Sequence, residues 1–562
     1  MAYGRERKYQ ALFGGKQPYF APDVEAKPIP IPVGGWDSIS PISAMDPKFA
    51  VGIDNWVVRP GYIELRGGYN HWAQGLGTQP VETLMVYRAP TGSETMFACA
   101  NNTVYNVSTY GVPSIGQSSR LNNRCQYVNF TPGGSVVSYL LFVNGQDNYT
   151  AYNGSAFSSP VITGISASSF INIAIHKRRL WFIPVNSTSA YYLATDAIAG
   201  AATQFDLAPL LNLGGYLMAM GTWTVDGGVG PDDMAVFVSS KGQCVIYKGT
   251  DPSNSNAWAL VGVFDLPPPI GRRCLVKLGS DLGIITLQGL IPISQALPFD
   301  PSSVRSVSTT NRIQNSMLTS ALLYNQQFGW EAKQFPGQSL LVLNIPQQAN
   351  STQVQYVMNT LTGAWFSFSG WNANTFEIFN NSLYFGGNSG QVALAYCGAT
   401  DLASAIIADV KCAFNYFDDP GRIKNISMVK PLIICDGLIT PTLSIDVDFA
   451  DNSVSAPVTV VTPSGAVWDT SIWDTATWST GASTVNNWLS VNAVGTALAL
   501  RTKVNITTAA GGGSNTNANL FDYGVFDTMV FDGNGQIVQS GTGLLTLQIN
   551  SFEAIMQFGG PI

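Results

Sequence analysis

The sequence predicts an all-β protein: a β-propeller of six or seven irregular blades with an additional β-sheet platform domain. Short apolar runs recur along the chain, broken by Gly, Asn, Pro and Ser, and helical periodicity is almost absent. Hairpin-like segments also follow one another at intervals of about 40–60 residues, and a four-stranded propeller blade takes about 40–50 residues. A β-sandwich also contains hairpins, but its strands recur about every 8–12 residues without this longer period.

Each hairpin-like segment has an apolar strand, a turn with Asn, Gly or Lys, and a second apolar strand. Because two such runs joined by a short polar turn are typical of antiparallel pairing, we expect one hairpin per blade. Together the segments place the propeller at residues 76–400. They are Thr95–Val107, Tyr139–Gly154, Arg179–Leu193, Met234–Gly249, Leu282–Ser294, Leu340–Trp365 and Ser382–Tyr396.

The two flanks of this region have a different character. Residues 1–75 are rich in Pro and Gly with few clear strands, and are predicted to form an N-terminal arm and part of the platform. Residues 401–562 contain longer alternating strands, such as Leu443–Phe449 and Leu544–Phe552, and are predicted to form a C-terminal β-sheet or platform domain. In this interpretation the arm pairs with the C-terminal domain.

Charge is scarce in this chain. Charged residues make up 11% of it, the formal net charge is −7 and the pI is about 4.9, whereas about a quarter of an ordinary globular domain is charged. Low surface charge favours a protein whose surface is buried against partners. The alternative interpretation is an ordinary β protein of low charge. An acidic chain is not expected to grip DNA, although it is suited to line a passage along which phosphates slide.

The seven cysteines are scattered, odd in number and contain no Cys-x-x-Cys pair. This pattern argues against a zinc ribbon or a disulfide framework and favours buried free thiols. No signal-peptide pattern and no apolar run of transmembrane length is found, so no membrane-spanning segment is expected.

Catalytic patterns are weak, and we predict no enzyme and no cofactor. The two histidines, His71 and His176, are interpreted as structural, and no Gly-x-Ser-x-Gly elbow is present. Adjacent carboxylates occur at residues 232–233 and 418–419, but neighbours on a strand point to opposite faces and form no cleft dyad. The glycines at 511–513 lack the lysine of a phosphate loop.

One acidic cluster is a candidate metal site. Asp446 and Asp448 share a strand face and Asp451 follows in the turn, an oxygen-rich set that calcium prefers. The spacing and closing Glu of an EF-hand are missing, so a solvated strand face is favoured and no metal is predicted. Whether a cation binds near Asp446 and Asp448 stays open from the sequence.

Two basic clusters and one aromatic run are candidates for intermolecular contacts. Lys177, Arg178 and Arg179 follow His176, and Arg272 and Arg273 follow a run of prolines. Both clusters are interpreted either as facing DNA phosphates in a channel or as intersubunit salt-bridge patches. Trp468, Trp473 and Trp478 recur every five residues, which suits neither helix nor strand, and are candidate interface anchors or buried residues within the domain.

Short motifs give the chain a resemblance to a known family. Residues 46–56 (DPKFAVGIDNW) and 59–68 (RPGYIELRGG) resemble the opening of tail nozzle proteins of short-tailed bacteriophages, the tail tubular protein B-like or packaged-DNA stabilisation protein-like tail hubs. The segments at 271–276, 281–286 and 289–294 are similar to a recurrent stretch of the same group. The run from Trp468-Asp469 through Trp473-Asp474 to Trp478 resembles its C-terminal part, so the likeness touches residues from about 36 to 480.

The resemblance implies a structural virion protein located in the tail. A homo-oligomeric ring of six copies would lie below a tail adaptor (head-to-tail connector) protein and bear tail fibre or spike proteins. It would extend and close the DNA conduit, retain the packaged genome, and conduct double-stranded DNA through its lumen during host cell entry. The family contributes no catalytic residues.

Two alternatives remain. A phage propeller that binds or cleaves host-surface glycans predicts a deep acidic central pocket, and a bacterial surface or assembly propeller outside any virus predicts a different gene neighbourhood.

Overall fold

The computed structural model describes residues 24–111, 113–226, 231–299, 303–348, 351–402, 404–435, 441–451, 456–457, 483–506, 530–531, 537–538 and 547–561. The all-β prediction is confirmed, because strands dominate the regular structure of these residues. Two α-helices occur in the described part, Ile293–Ala296 and Gln314–Tyr324. Short 3-10 turns occupy Ile42–Ala44, Ala167–Ser169, Ala208–Leu210, Val304–Val307, Asn311–Ile313 and Pro336–Gln338.

Seven small antiparallel sheets, numbered here in chain order, occupy the middle of the chain. Within each of them, strands that are consecutive along the chain pair with one another. The first sheet contains Thr83–Arg88, Glu94–Ala100, Thr103–Asn106 and Ser114–Gln117, and the second Gln126–Phe130, Tyr139–Val143, Thr150–Tyr152 and Phe157–Ser158. The third contains Phe170–His176, Arg179–Pro184, Ser189–Tyr192 and Thr203–Asp206, and the fourth Leu217–Asp226, Pro231–Ser239, Gln243–Gly249 and Trp258–Asp265.

The last three sheets vary this pattern. The fifth has three strands, and the sixth continues beyond its fourth strand into a larger sheet. The seventh takes its fourth strand from the N-terminal side, Tyr69–Ala73, which pairs with Val392–Ala395. Their strands are Leu275–Leu278, Asp281–Thr286 and Gly289–Pro292, then Glu331–Phe335, Leu340–Gln348, Thr352–Asn359 and Trp365–Phe368, then Thr375–Phe379, Ser382–Gly386 and Val392–Ala395.

All seven predicted hairpins are confirmed, and each supplies the second and third strands of one sheet. The boundary predicted at residue 75 differs from the structure, because Tyr69–Ala73 belongs to the seventh sheet rather than to the arm alone. A strand so distant in sequence has no local partner that would reveal its pairing.

The first strand of each sheet, called here the inner strand, contacts the inner strand of the next sheet. The contacts run in cyclic order and the seventh inner strand contacts the first, so the seven sheets close a ring. Apolar and aromatic side chains fill the spaces between sheets. Trp181 of the third sheet, for example, lies 5.5 Å from Phe237 and 5.8 Å from Trp258 of the fourth, measured between ring centroids, and such buried aromatic rings dominate the packing energy.

Strands from the N-terminal and C-terminal regions build the seven-stranded sheet and the extension of the sixth sheet. In a seven-stranded sheet the N-terminal strand Val24–Ile29 pairs with Leu547–Pro561, which also pairs with Arg422–Cys435. Its other strands are Trp56–Arg59, Tyr62–Leu65, Ser483–Val485 and Leu489–Gly495. The sixth sheet extends through Gly35–Trp36, Phe49–Asp54, Ile406–Cys412, Leu498–Ile506, Thr442–Val447 and Ala456–Pro457. Two small pairs are Ile162–Thr163 with Gly200–Ala201 and Val530–Phe531 with Ile537–Val538.

A buried ion pair ties the arm to the ring and to the C-terminal region. The side chain of Arg66 is 1% exposed and donates two parallel hydrogen bonds to Asp401, at 2.9 and 2.6 Å. Its Nε donates to Asn55 at 2.6 Å and its Nη2 also donates to the carbonyl of Ser369 at 2.6 Å. Such a bidentate pair with further bonds is strong and geometrically specific. We call Arg66, Asp401, Asn55 and Ser369 the junction.

The backbone around the junction explains its Asn and Gly residues. Asn55 has φ 60° and donates from Nδ2 to the carbonyl of Ile407 at 2.7 Å; asparagine tolerates this left-handed conformation better than most residues. At Gly68 an added Cβ would lie 2.0 Å from the carbonyl oxygen of Thr400. The segment that carries the family resemblance is therefore used to join three parts of the chain.

All seven cysteines are buried, and no disulfide joins any of them, as predicted. Within the described residues, no helix is both long and apolar enough to cross a bilayer.

Candidate functional site: the central cavity

A cavity of about 780 Å³ lies where the inner strands of the second to sixth sheets begin. Gln126 opens the second inner strand, Ile171 and Met218 lie near the starts of the third and fourth, and Trp330 directly precedes the sixth. The loop 268–273 before the fifth inner strand supplies a further wall. We call this space the central cavity.

The wall of the central cavity is basic and rich in carboxamides. Arg124, Arg272 and Arg273 line it, and no Asp or Glu is among the described residues that do so. The glycan alternative predicts an acidic pocket, so that expectation is wrong for this cavity. Its carboxamide side chains are Asn122, Gln126, Asn186, Asn325, Gln326 and Gln327.

Arg273 closes one side of the cavity by bridging sheets. Its Nη1 donates to Glu331 of the sixth sheet at 2.8 Å. Its Nη2 donates to Thr83 Oγ1 at 2.7 Å and to the carbonyl of Glu82 at 3.0 Å, both at the start of the first sheet. Glu331 in turn accepts a hydrogen bond from the backbone N–H of Phe376 in the seventh sheet. Arg273 is thus committed to holding the fifth, sixth, seventh and first sheets together.

Only part of the Arg124 guanidinium is hydrogen-bonded within the protein. Its Nε donates to Glu82 at 2.9 Å, and its side chain is 47% exposed. Its guanidinium lies 4.2 Å from the ring centroid of Phe328, and that of Arg273 lies 5.1 Å from the same ring. Phe328 therefore stabilises two cations at the cavity wall through cation–π contacts.

Arg272 differs from both. No ion pair or side-chain hydrogen bond joins it to any residue in the part of the chain that the structure describes. Burial of its guanidinium lowers the pKa of Arg272, and the nearby Arg124 adds to this effect. Arginine remains charged at neutral pH even so, and the N–H donors of this cavity-lining residue have no acceptor among the described residues.

The first basic cluster lies elsewhere. Lys177 and Arg178 form the turn after the third inner strand, with φ 47° and 61°. Since Ile171 lines the cavity, this turn lies roughly 20 Å away at about 3.3 Å per strand residue. Each cation pairs within the chain, Lys177 with Asp233 at 3.0 Å, Arg178 with Asp196 at 2.8 Å and Arg179 with Asp251 at 3.2 Å. The structure does not bring the two clusters together.

The histidines lie away from the cavity wall. His176 is buried, its ring packs edge-on against Trp258 at 5.6 Å and its Nδ1 lies 3.2 Å from Thr222 Oγ1. Burial lowers the pKa of His176 to about 4, so the ring is neutral at neutral pH. Burial also lowers the pKa of His71, in the outer strand of the seventh sheet.

The three aspartates of the acidic cluster are each engaged by other groups of the protein. Asp446 is fully buried and pairs with Lys411 at 2.8 Å, so the solvated-face interpretation is wrong for this residue. Asp451 also contacts Lys411. Asp448 accepts from the backbone N–H groups of Thr496 and Ala497, each at 2.9 Å. Among the described residues, no group of His, Cys, Asp or Glu is arranged to hold a metal.

Trp468, Trp473 and Trp478, and the glycines at 511–513, lie outside the described residues. The sequence reasoning also missed Arg124, Phe328 and Gln126 as cavity residues. Each precedes or opens an inner strand, and only the order of the sheets in the ring would have placed them together.

No protein-family model matches the chain, and no curated protein matches it. Among solved structures, the chain is similar to the extracellular domain of a hybrid two-component system from B. thetaiotaomicron at 13% identity, covering 58% of this chain and 39% of that one, with a TM-score of 0.36. The computationally designed protein Ika8 matches at 10% identity over 58% of this chain and 99% of its own, with a TM-score of 0.34. Raptor from Chaetomium thermophilum matches at 10% identity over 59% of this chain and 29% of its own, with a TM-score of 0.36. Likenesses this distant carry no functional argument.

Proposed function

We propose that this chain is a structural virion protein, the tail nozzle subunit of a short-tailed phage, and that it is not an enzyme. The observation that carries the proposal is the junction. The residues that resemble the nozzle family, Asn55, Arg66 and Gly68, have buried positions that demand those residue types. A short motif with such a structural requirement is a stronger basis for a family assignment than composition alone.

The fold within this proposal is a seven-bladed β-propeller on a platform. Three features support it: the cyclic contacts of the seven inner strands, the consecutive pairing of strands within each sheet, and the seventh sheet, which combines Tyr69–Ala73 with strands about 300 residues later. Completing the last blade with an N-terminal strand closes a propeller ring, because the two ends of the ring are then hydrogen-bonded in one sheet. The platform is built by strands from both chain ends.

In this role six copies form a ring below the tail adaptor, carry fibre or spike proteins, and surround the conduit for double-stranded DNA. The low charge of the chain supports extensive contacts between copies. The DNA passage lies between copies rather than through the central cavity, whose volume falls within the range of small-ligand pockets, about 300–1,000 Å³. Four of the five candidate DNA-facing cations also already pair within the chain.

Mass photometry of the purified chain, with and without a tail adaptor protein from the same genome, tests the proposal. Rings of about 360 kDa are expected from six 60.1 kDa chains, since a heterologous contact that closes by rotation gives a ring. Antibodies against the chain are expected to label the tail tip of the intact phage in electron micrographs. Monomers at every adaptor concentration, together with unlabelled tails, would overturn the assignment.

A further inference from the structure

We propose that the central cavity binds an acidic saccharide, with a sugar carboxylate held by Arg272 and hydroxyl groups held by the surrounding polar side chains. This inference goes beyond the structural role proposed above and does not depend on it. It requires only the shape, charge and hydrogen-bonding groups of the cavity.

Size selects the first property of the ligand. A volume of about 780 Å³ accommodates a ligand of two or three sugar rings, because pockets for small ligands have volumes of about 300–1,000 Å³. A nucleic-acid duplex is too wide for such a space, since its major groove alone is about 12 Å across. The ligand is therefore a short chain or the end of a longer one.

Charge selects the second property. The chain as a whole is acidic, with a net charge of −7, yet the described cavity wall carries three guanidiniums and no carboxylate. Arg273 is neutralised by Glu331, and Arg124 has Glu82 against its Nε. Arg272 has no such acidic partner among the described residues, so a carboxylate of the ligand would complete it through a bidentate pair.

Hydrogen bonding selects the third property. Gln126 and Asn186 line the cavity, and no hydrogen bond joins either side chain to another of the described residues. A carboxamide offers both donors and an acceptor. A simple carboxylate only accepts, and would leave the carboxamide oxygens unmatched. Sugar hydroxyls donate and accept, as does the Tyr216 hydroxyl on the same wall.

The same wall argues for binding without cleavage. Glycoside hydrolysis ordinarily requires two carboxyl groups flanking the scissile bond, and the described residues of the wall supply none. The saccharide would leave the cavity unchanged.

Isothermal titration calorimetry of the full chain with trigalacturonate tests the proposal. Neutral galactotriose and inorganic phosphate serve as comparison ligands, and a short single-stranded DNA and a tetra-aspartate peptide test other anions. We expect trigalacturonate to bind at least ten times more tightly than each of these. We also expect the affinity to fall as salt is raised, because charge pairing is screened.

Arg272→Gln is expected to weaken trigalacturonate binding by about 10- to 100-fold, the usual range for losing a charge-assisted hydrogen bond. Arg305→Gln is the matched control, because Arg305 is an exposed arginine outside the cavity wall; it should bind like the unmodified chain. Asn186→Ala provides a second cavity variant at an exposed position, with an expected loss of about threefold or more.

The thermal unfolding midpoint of each variant verifies that it is folded. Absence of binding at millimolar trigalacturonate would overturn the proposal, as would equal affinity for the neutral sugar, the DNA or the peptide. Unchanged binding by Arg272→Gln would do the same. None of these results would affect ring formation, which is measured separately.

Discussion

The junction contains a buried arginine and the central cavity an exposed one, and the two differ in what their N–H donors reach. At the junction, Arg66 donates to Asp401, Asn55 and Ser369 and is 1% exposed. In the cavity, Arg272 reaches no acceptor among the described residues and keeps contact with solvent. Arg273, the next residue, resembles Arg66, because it donates hydrogen bonds to Glu331, Thr83 and the carbonyl of Glu82.

This difference separates arginines that hold the fold from those available to a ligand. A guanidinium with its donors satisfied by the protein stabilises the native state and has little left to offer. A guanidinium with open donors contributes little to stability, because water already satisfies it in both folded and unfolded states. Stability measurements can therefore distinguish the two classes independently of any ligand.

The largest effect is expected at the junction. Asp401→Asn removes the charge that compensates Arg66 and leaves that guanidinium buried, so the free energy of unfolding should fall by about 3–5 kcal/mol. Urea unfolding followed by tryptophan fluorescence measures this loss. Asp409→Asn is the matched control, because Asp409 pairs with Arg501 in a partly exposed site and its loss should cost below about 1 kcal/mol. Equal losses in the two variants would show that the junction is not special.

An intermediate effect is expected at Arg273. Glu331→Gln keeps the shape but removes the negative charge, while Thr83 and the carbonyl of Glu82 still accept from Arg273. The free energy of unfolding should fall by about 2 kcal/mol in the same assay. Arg272→Gln, beside it, should change the free energy of unfolding by less than about 0.5 kcal/mol. A reversal of this order would contradict the assignment of Arg273 to the fold and Arg272 to the ligand.

The smallest effect is expected at the distant basic turn. Arg178 is 62% exposed and pairs with Asp196 at 2.8 Å, so Arg178→Ser should cost about 0–1 kcal/mol. Repeating the urea titration in about 0.5 M salt should reduce that difference, because exposed pairs are screened. A larger loss of unfolding free energy that does not depend on salt would show that this pair stabilises the fold as the junction does.

The sequence predicts the hairpins well and the outer pairings poorly, for a physical reason. Leu340–Gln348 and Thr352–Asn359 are separated by only three residues in the sequence, and the first of them begins with an apolar run, so the pattern that predicts them is local. The fourth strands are short and often polar, as in Ser114–Gln117 and Thr203–Asp206. Tyr69–Ala73 has its partner about 300 residues away, and no local pattern encodes that pairing.

The candidate site follows the same division. The basic character of Arg272 and Arg273 is visible in the sequence, and both residues line the cavity. Their different hydrogen bonding is not visible, because Glu331 of the sixth sheet accepts from Arg273, whereas no described residue accepts from Arg272. In the sequence, Lys177–Arg179 and Arg272–Arg273 are basic clusters of one kind. In the structure they lie far apart, because the first follows the end of an inner strand and the second precedes the start of one.

By itself, the sequence determined the all-β class, the seven hairpins and the burial of the cysteines, because each depends on apolar patterns between near neighbours. The closing of the sheets into a ring, the junction at Arg66 and the division of labour between two adjacent arginines were decided by the tertiary structure. Those features depend on which distant strand ends meet, and a hydrogen bond between residues 335 positions apart, such as that of Arg66 with Asp401, exists only after the chain has folded.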